Sequence, residues 1–272
     1  MDRLLIRFAG LPYLRLTRDA LIHERCEYLM AKVREIGKAG LRILDVGCGS
    51  GMALYYLSRF CRDVVREYVG VDMEVRRLHK RWDFVKLPHA FYHVNLDQEW
   101  DFGKFDLVWC SEVIEHLTED ERLFNRMSSH LDSAGVLIIT TPSRPFVERM
   151  GRVIPGFDRV SPAQDGGHVR VGYELGDFER MAQRNGLSIL SHSWLSPCSE
   201  AELRVRCQAG TLARSRQLLI NLRRGTTPLK FEAEADSCAG KCWSLAVQVV
   251  NRNESERLMT ALPHPARVEL RS

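Results

Sequence analysis

The sequence predicts an α/β fold, a mostly parallel sheet covered by helices on both faces. Three observations carry this. Short, near-continuous apolar runs at 43–46, 68–71, 105–110 and 135–140 alternate with helical patterns, the signature of strands buried on both sides. The first run passes into Asp45-Val46-Gly47-Cys48-Gly49-Ser50-Gly51, an acid followed by glycines at every second position. Gly37, Gly40, Pro142 and Gly186 fall where one pattern gives way to the next, as helix and strand terminators do.

Along the chain, residues 1–40 read as helical, with Leu21, Ile22, Cys26, Leu29, Met30, Val33 and Ile36 at helical spacing. The glycine-loop strand follows, then a helix over 52–60. A second strand over 68–73 ends on Asp72, a third covers 90–94, and a fourth covers 105–110. Ser111 reads as the cap of a helix over 112–131 with Val113, Ile114, Leu117, Leu123 and Met127 on its apolar face. The fifth strand, 135–140, stops at Pro142. Residues 143–171, rich in Gly, Pro and Arg, read as a long active-site loop. A helix over 174–185, a sixth strand over 187–190 and a last strand over 244–250 complete the pattern.

Bulk properties exclude several classes. The chain has 272 residues, 45% hydrophobic and 27% charged, with a formal charge of +4, too small to argue for a nucleic-acid partner. No apolar run has the length of a membrane-spanning helix. Charges interrupt the N-terminal apolar run, which speaks against a secretory signal. The 8 cysteines are scattered, which suits reduced thiols in a cytoplasmic protein. Cys238 and Cys242 lack the second pair that a zinc site needs.

The glycine loop turns sharply and lets a ligand approach the backbone, because no Cβ intervenes. Its spacing is G-x-G-x-G, unlike the G-x-G-x-x-G that cradles a pyrophosphate. Asp72 lies where a carboxylate can accept both hydroxyls of a ribose, although a loop aspartate or a helix cap explains it equally.

Four ordered blocks carry a resemblance. They are Leu44-Asp45-Val46-Gly47-Cys48-Gly49-Ser50-Gly51, then Val69-Gly70-Val71-Asp72, then Asn95-Leu96-Asp97. The last runs from Phe105 through Cys110-Ser111-Glu112-Val113-Ile114-Glu115-His116-Leu117. In these the chain resembles the class I S-adenosylmethionine-dependent methyltransferases over residues 40–195. The resemblance implies a Rossmann-like, seven-stranded sheet with the last strand antiparallel. It implies that Asp45, Gly47, Gly49 and Gly51 hold the methionine end of S-adenosylmethionine, that Asp72 binds the ribose, and that Met73 flanks the adenine. Asp97 would face the adenine amino group, and the backbone at Cys110 and Ser111 would lie near the sulfonium. Four segments are expected: an N-terminal helical cap (1–40), the cofactor-binding core (41–196), a substrate-side insertion (197–243), and the last core strand with a tail (244–272).

Methyl transfer from a sulfonium is an in-line displacement, so the protein positions two groups and manages one proton. On a helix, Glu112, Glu115 and His116 share a face at i, i+3 and i+4, and with His168 they form a candidate ligand set for Mg²⁺. The Glu-x-x-Glu-His pattern with a later histidine resembles the ubiquinone-pathway O-methyltransferases and the small-RNA 2′-O-methyltransferases. Without a metal, His116 or His168 is the candidate general base, and the two glutamates are then ordinary first-turn residues. Arg204, Arg206, Arg214, Arg216, Arg223 and Arg224 lie among apolar residues. They read as an amphipathic helix with a solvated basic face, as a lid over an acidic substrate, or as a surface that docks on an anionic membrane carrying a lipid-linked acceptor. Arg144, Arg149, Arg152, Arg159 and Arg170 add basic character near the cleft and hint at an anionic small-molecule acceptor. The expected activity is methylation of a small molecule, at a hydroxyl oxygen. The rivals are a metal-dependent RNA 2′-O-methyltransferase and a non-catalytic methyltransferase-like partner subunit.

Overall fold

The computed structural model describes residues 20–76, 78–160, 167–206, 232–233 and 238–252. Helix α1 spans Ala20–Glu35 and strand β1 spans Leu41–Val46; α2 is Met52–Phe60, β2 is Val65–Asp72, α3 is Leu78–Trp82 and β3 is His89–His93. Strand β4 covers Phe105–Ser111, α4 Asp120–Ser129, β5 Leu131–Pro142, α5 Arg144–Gly151, α6 Leu175–Arg184 and β6 Leu187–Pro197. The last described elements are α7 (Glu200–Arg206), the two-residue strand β7 (Glu232–Ala233) and β8 (Cys242–Asn251).

All strands join one sheet in the order β3-β2-β1-β4-β5-β8-β6-β7. Strands β1 to β5 pair in parallel, and β8 runs antiparallel to both β5 and β6. The expected seven-stranded, mostly parallel sheet is therefore present, with the short β7 added at the edge against β6. One face carries an apolar cluster built from α1, α2 and β1, including Tyr28, Leu29, Ile43 and Leu57. The other carries Leu44, Val46, Phe124, Leu137 and Phe178. Alternate residues of β1 thus go to opposite cores, which explains its unbroken apolar run.

From β1 the chain moves outward to β2 and β3, then returns across β1 to β4. Such a reversal opens a crevice at the carboxyl ends of the strands. The glycine loop sits there, with the amides of Gly47 and Cys48 donating to Val71 O at 2.8 and 3.1 Å.

Several boundaries differ from the sequence expectation. No helix starts at Glu112: its backbone is left-handed (φ 55°), and its amide donates to Thr140 O at 2.8 Å. That bond ties it to β5. A 3₁₀ turn follows at Ile114–His116, and the α-helix begins only at Asp120. Ser111 stays in β4, its Oγ 2.8 Å from Thr140 Oγ1, and is not a helix cap. The expected loop 143–171 contains α5, opened by Pro145 in its first turn, a position proline favours. Phe146, Val147 and Met150 of that helix pack with Cys198 and Leu203 in a third small core. Strand β6 runs on to Pro197. The arginine-rich residues 207–231 lie outside the described residues. Among the described residues no helix is long and apolar enough to cross a membrane.

Candidate active site

A cavity of about 720 Å³ opens at the switch point between β1 and β4. Its floor is the glycine loop, and Asp72, Met73, Asn95, Leu96 and Asp97 form one end. Trp109, Ser111, Glu112, Val113, His116 and Leu117 form the other, with Ile22, Arg25 and Cys26 of α1 against it.

Among the expected residues, Asp45, Gly47, Gly49, Asp72, Met73, Asp97, Ser111, Glu112 and His116 line this cavity. Gly51 does not: a Cβ there would meet Trp82 Nε1 at 2.5 Å, so its role is the close packing of the loop on α3. The Cys110 side chain is buried in the core beside Val46 and Ile139, so only its backbone is open to the expected role, and its neighbours Trp109 and Ser111 line the cavity. Glu115 and His168 are not among the residues that line it.

The loop's geometry follows from its glycines. Gly47 has φ 73°, and an added Cβ would lie 2.3 Å from Val113 Cγ2. Gly49, at φ 51°, has nothing within 4 Å of an added Cβ, so its backbone is open to whatever the cavity holds. Asp72 holds the loop from the side: Oδ2 accepts the Gly49 amide at 2.9 Å and Oδ1 the Glu74 amide at 2.9 Å.

Asp45 is buried and accepts the Tyr68 hydroxyl at 2.5 Å. Burial raises its pKa to about 7; the Tyr68 hydrogen bond opposes the rise and the Asp72 charge adds to it. A carboxyl poised there responds strongly to an incoming cation.

Glu115, His116 and His168 come together, each offering a ligand atom within 4.8 Å of the others. The His116 and His168 rings are edge-to-face with centroids 4.4 Å apart. His168 reaches this position because its segment is stitched beneath the 3₁₀ turn. Val169 N donates to Glu115 O at 3.0 Å, Arg170 donates to Leu117 O and Thr118 O at 3.1 Å, and Tyr173 Oη donates to Asp120 at 2.8 Å. Glu115 is fully buried. Its Oε2 accepts from Thr141 Oγ1 at 3.3 Å, whereas Oε1 has no hydrogen-bond partner among the described residues. Burial, and then the charge of Glu112, push its carboxyl well above the usual range.

Glu112 is not part of this group. Its Oε1 accepts from Ser244 Oγ at 3.1 Å, and its Oε2 faces Arg25 Nη1 at 3.8 Å. Sequence reasoning missed Arg25, which is the one Lys or Arg side chain among the described lining residues. Two arginines expected near an anionic acceptor are engaged elsewhere. Arg144 pairs with Asp177 and Glu174, and Arg170 with Asp120.

Comparison with known proteins agrees with this geometry. The family model described as "Methyltransferase domain" matches residues 19–192. Ubiquinone biosynthesis O-methyltransferase of Psychrobacter arcticus is 28% identical over 126 residues, 44% of this chain and 49% of that protein. Its counterpart in Xanthomonas axonopodis pv. citri is 30% identical over 126 residues, 46% of this chain and 52% of that protein. The chain thus spans about half the length of the curated relatives it matches. An S-adenosylmethionine-dependent methyltransferase structure from Clostridium acetobutylicum aligns with TM-score 0.54 at 13% identity, covering 90% of this chain and 97% of that one. Magnesium protoporphyrin IX methyltransferase of Synechocystis with bound SAH aligns with TM-score 0.50 at 17% identity, covering 84% and 83%. At these identities the structural likeness speaks for the fold alone. With the ordered motifs, the switch-point cavity and the family match over most of the core, the chain belongs to the class I S-adenosylmethionine-dependent methyltransferases.

Proposed function

We propose that this protein transfers the methyl group of S-adenosylmethionine to a hydroxyl oxygen of a small molecule in the cytoplasm. The observation that carries the reading is the placement of His116 in the wall of the same cavity that the glycine loop, Asp72 and Asp97 line. Met73 and Asp97 would hold the adenosine of S-adenosylmethionine, Asp72 its ribose, and the loop, Asp45 and Arg25 its methionine end. Its carboxylate needs a cation, which Arg25 would supply, and its ammonium an acid, which Asp45 would supply. When bound, the cofactor would supply the methyl group near Ser111, and His116 would take the hydroxyl proton of the acceptor. The test is a screen of phenols, catechols and sugar hydroxyls with S-adenosylmethionine, read as S-adenosylhomocysteine release. Turnover on an RNA 3′ end and on none of the small molecules would overturn the acceptor class.

The pH dependence of cofactor binding follows from Asp45. Burial pushes this carboxyl up to about 7. At lower pH it must release its proton before receiving an ammonium group. Affinity for S-adenosylhomocysteine is expected to fall by up to about tenfold per pH unit on the acid side of that value and to be flat on the basic side. The raised pKa values of Asp45 and Glu115 act on folding in the opposite sense. Their protonated forms stabilise the free protein at pH below the unfolded carboxylate range, and this stability is lost as pH rises through their folded pKa values. Calorimetric titrations and melting temperatures from pH 5.5 to 8.5, an interval bracketing the Asp45 value of about 7, check both slopes.

A divalent ion fits the Glu115, His116 and His168 group, since the buried Oε1 of Glu115 otherwise lacks a partner. One carboxylate and two imidazoles suit Mn²⁺ better than Mg²⁺, and a bound ion would lower the pKa of an acceptor hydroxyl. Exhaustive chelation is expected to lower turnover at least about tenfold, with Mn²⁺ restoring more than Mg²⁺. A rate indifferent to chelator leaves His116 as the base acting alone.

A further inference from the structure

The side chains of Arg25 and Glu112 are only 11% and 16% exposed, and both face the cavity. Yet the pair is loose. At 3.8 Å it is an ion pair without a hydrogen bond, and among the described residues Arg25 makes no other ion pair. Lining the cavity, the guanidinium keeps donors free to take an anion that enters it. Glu112 is held from the other side by Ser244 Oγ at 3.1 Å and by its left-handed backbone. Glu112 thus has a second anchor in Ser244, whereas Arg25 is held in the pair by Glu112 alone. When a second carboxylate enters, Arg25 is therefore the member that moves.

We propose that the Arg25–Glu112 pair is a latch opened by the cofactor: its methionyl carboxylate takes Arg25, and the released Glu112 becomes the docking carboxylate for a hydrogen-bond donor of the acceptor. This rests on the cofactor placement proposed above and extends it to the acceptor. Binding is then ordered, cofactor first. Until Arg25 leaves, Oε2 of Glu112 faces that guanidinium; afterwards it can accept a hydroxyl or ammonium group beside the oxygen to be methylated. Acceptors with a second hydroxyl next to the first are accordingly favoured over mono-hydroxylated ones.

The test uses two probes, S-adenosylhomocysteine and 5′-methylthioadenosine, which lacks the amino-acid carboxylate. Binding of S-adenosylhomocysteine to the wild-type protein establishes the cofactor site itself; its failure would remove that placement rather than the latch. Given binding, Glu112→Gln is expected to bind S-adenosylhomocysteine about fivefold tighter, because Arg25 no longer has a competing anion. Its affinity for 5′-methylthioadenosine stays at the wild-type value, which also reports an intact fold. Arg25→Gln weakens S-adenosylhomocysteine at least about tenfold, and adding Glu112→Gln to it brings no recovery, since the gain requires the guanidinium. Unchanged or weaker binding by Glu112→Gln overturns the proposal, weaker binding marking Glu112 as a ligand of the ammonium. For the acceptor half, catechol is titrated by calorimetry against the wild-type protein with and without S-adenosylhomocysteine. Binding only to the complex, lost in Glu112→Gln, is expected; binding to the free protein, to neither form, or undiminished in the variant overturns it.

Discussion

Replacing Asp72 by alanine is expected to weaken S-adenosylhomocysteine binding about 100-fold, which is roughly 2.7 kcal/mol. Two losses combine. The carboxylate accepts the backbone amides of Gly49 and Glu74, each at 2.9 Å, so its removal frees the glycine loop as well as the turn after β2. It is also the group proposed to accept the ribose hydroxyls, and hydrogen bonds to a charged acceptor contribute about 1.5–3 kcal/mol each. Asp72→Asn separates the two contributions in part. Its side-chain oxygen can still accept the Gly49 amide, but its amide nitrogen then faces the Glu74 amide, donor against donor, and gives the ribose a donor where an acceptor is needed. The asparagine protein should melt between the wild-type and alanine proteins and bind several-fold more weakly than wild type. Calorimetric titration and thermal unfolding read these separately. Binding by Asp72→Ala within about threefold of wild type would show that the ribose lies elsewhere.

What the sequence disclosed divides along physical lines. The glycine loop and Asp72 were legible because positive φ and a close backbone approach restrict residue type at Gly47 and Gly49. The mostly parallel sheet with its antiparallel last strand followed from the ordered blocks that carried the family resemblance. Positions whose geometry no residue type demands were not legible. Glu112 takes φ 55°, a conformation that glutamate does not signal, so the helical period of Val113, Ile114 and Leu117 ran through it unopposed. In β4, apolar residues go to both faces, so alternation could not tell that Trp109 faces the cavity and Cys110 the core. Arg25 is the largest omission. On α1 it looks like any charge on an amphipathic helix, and only the lie of that helix against the crevice gives it a role. The arginines of the segment after β5 erred the other way. Clustered charge suggested an anionic ligand, but Arg144 and Arg170 find their anions in Asp177 and Asp120.

The second large effect is expected at His116. It is the imidazole among the residues lining the cavity, and its ring rests edge-to-face on His168 at 4.4 Å. Replacing it by alanine should lower kcat by about 10² to 10⁴, the range for loss of a positioned general base, while affinity for S-adenosylhomocysteine changes less than about threefold. The split follows from the proposed placement: His116 lines the end of the cavity opposite Asp72 and is assigned to the acceptor, not to the cofactor. His168→Ala separates the two roles open to the pair. If His168 only orients His116, its loss lowers kcat moderately and leaves the pH profile in place, because the same imidazole still accepts the proton. If both hold a metal ion, the two alanine variants lose activity alike, and neither responds to chelator or to added Mn²⁺. Single-turnover rates at saturating cofactor, measured across pH, distinguish these cases. A His116→Ala protein with near wild-type kcat would mean that the acceptor's proton leaves by another route, and the base would have to be sought at Glu112 or Asp45.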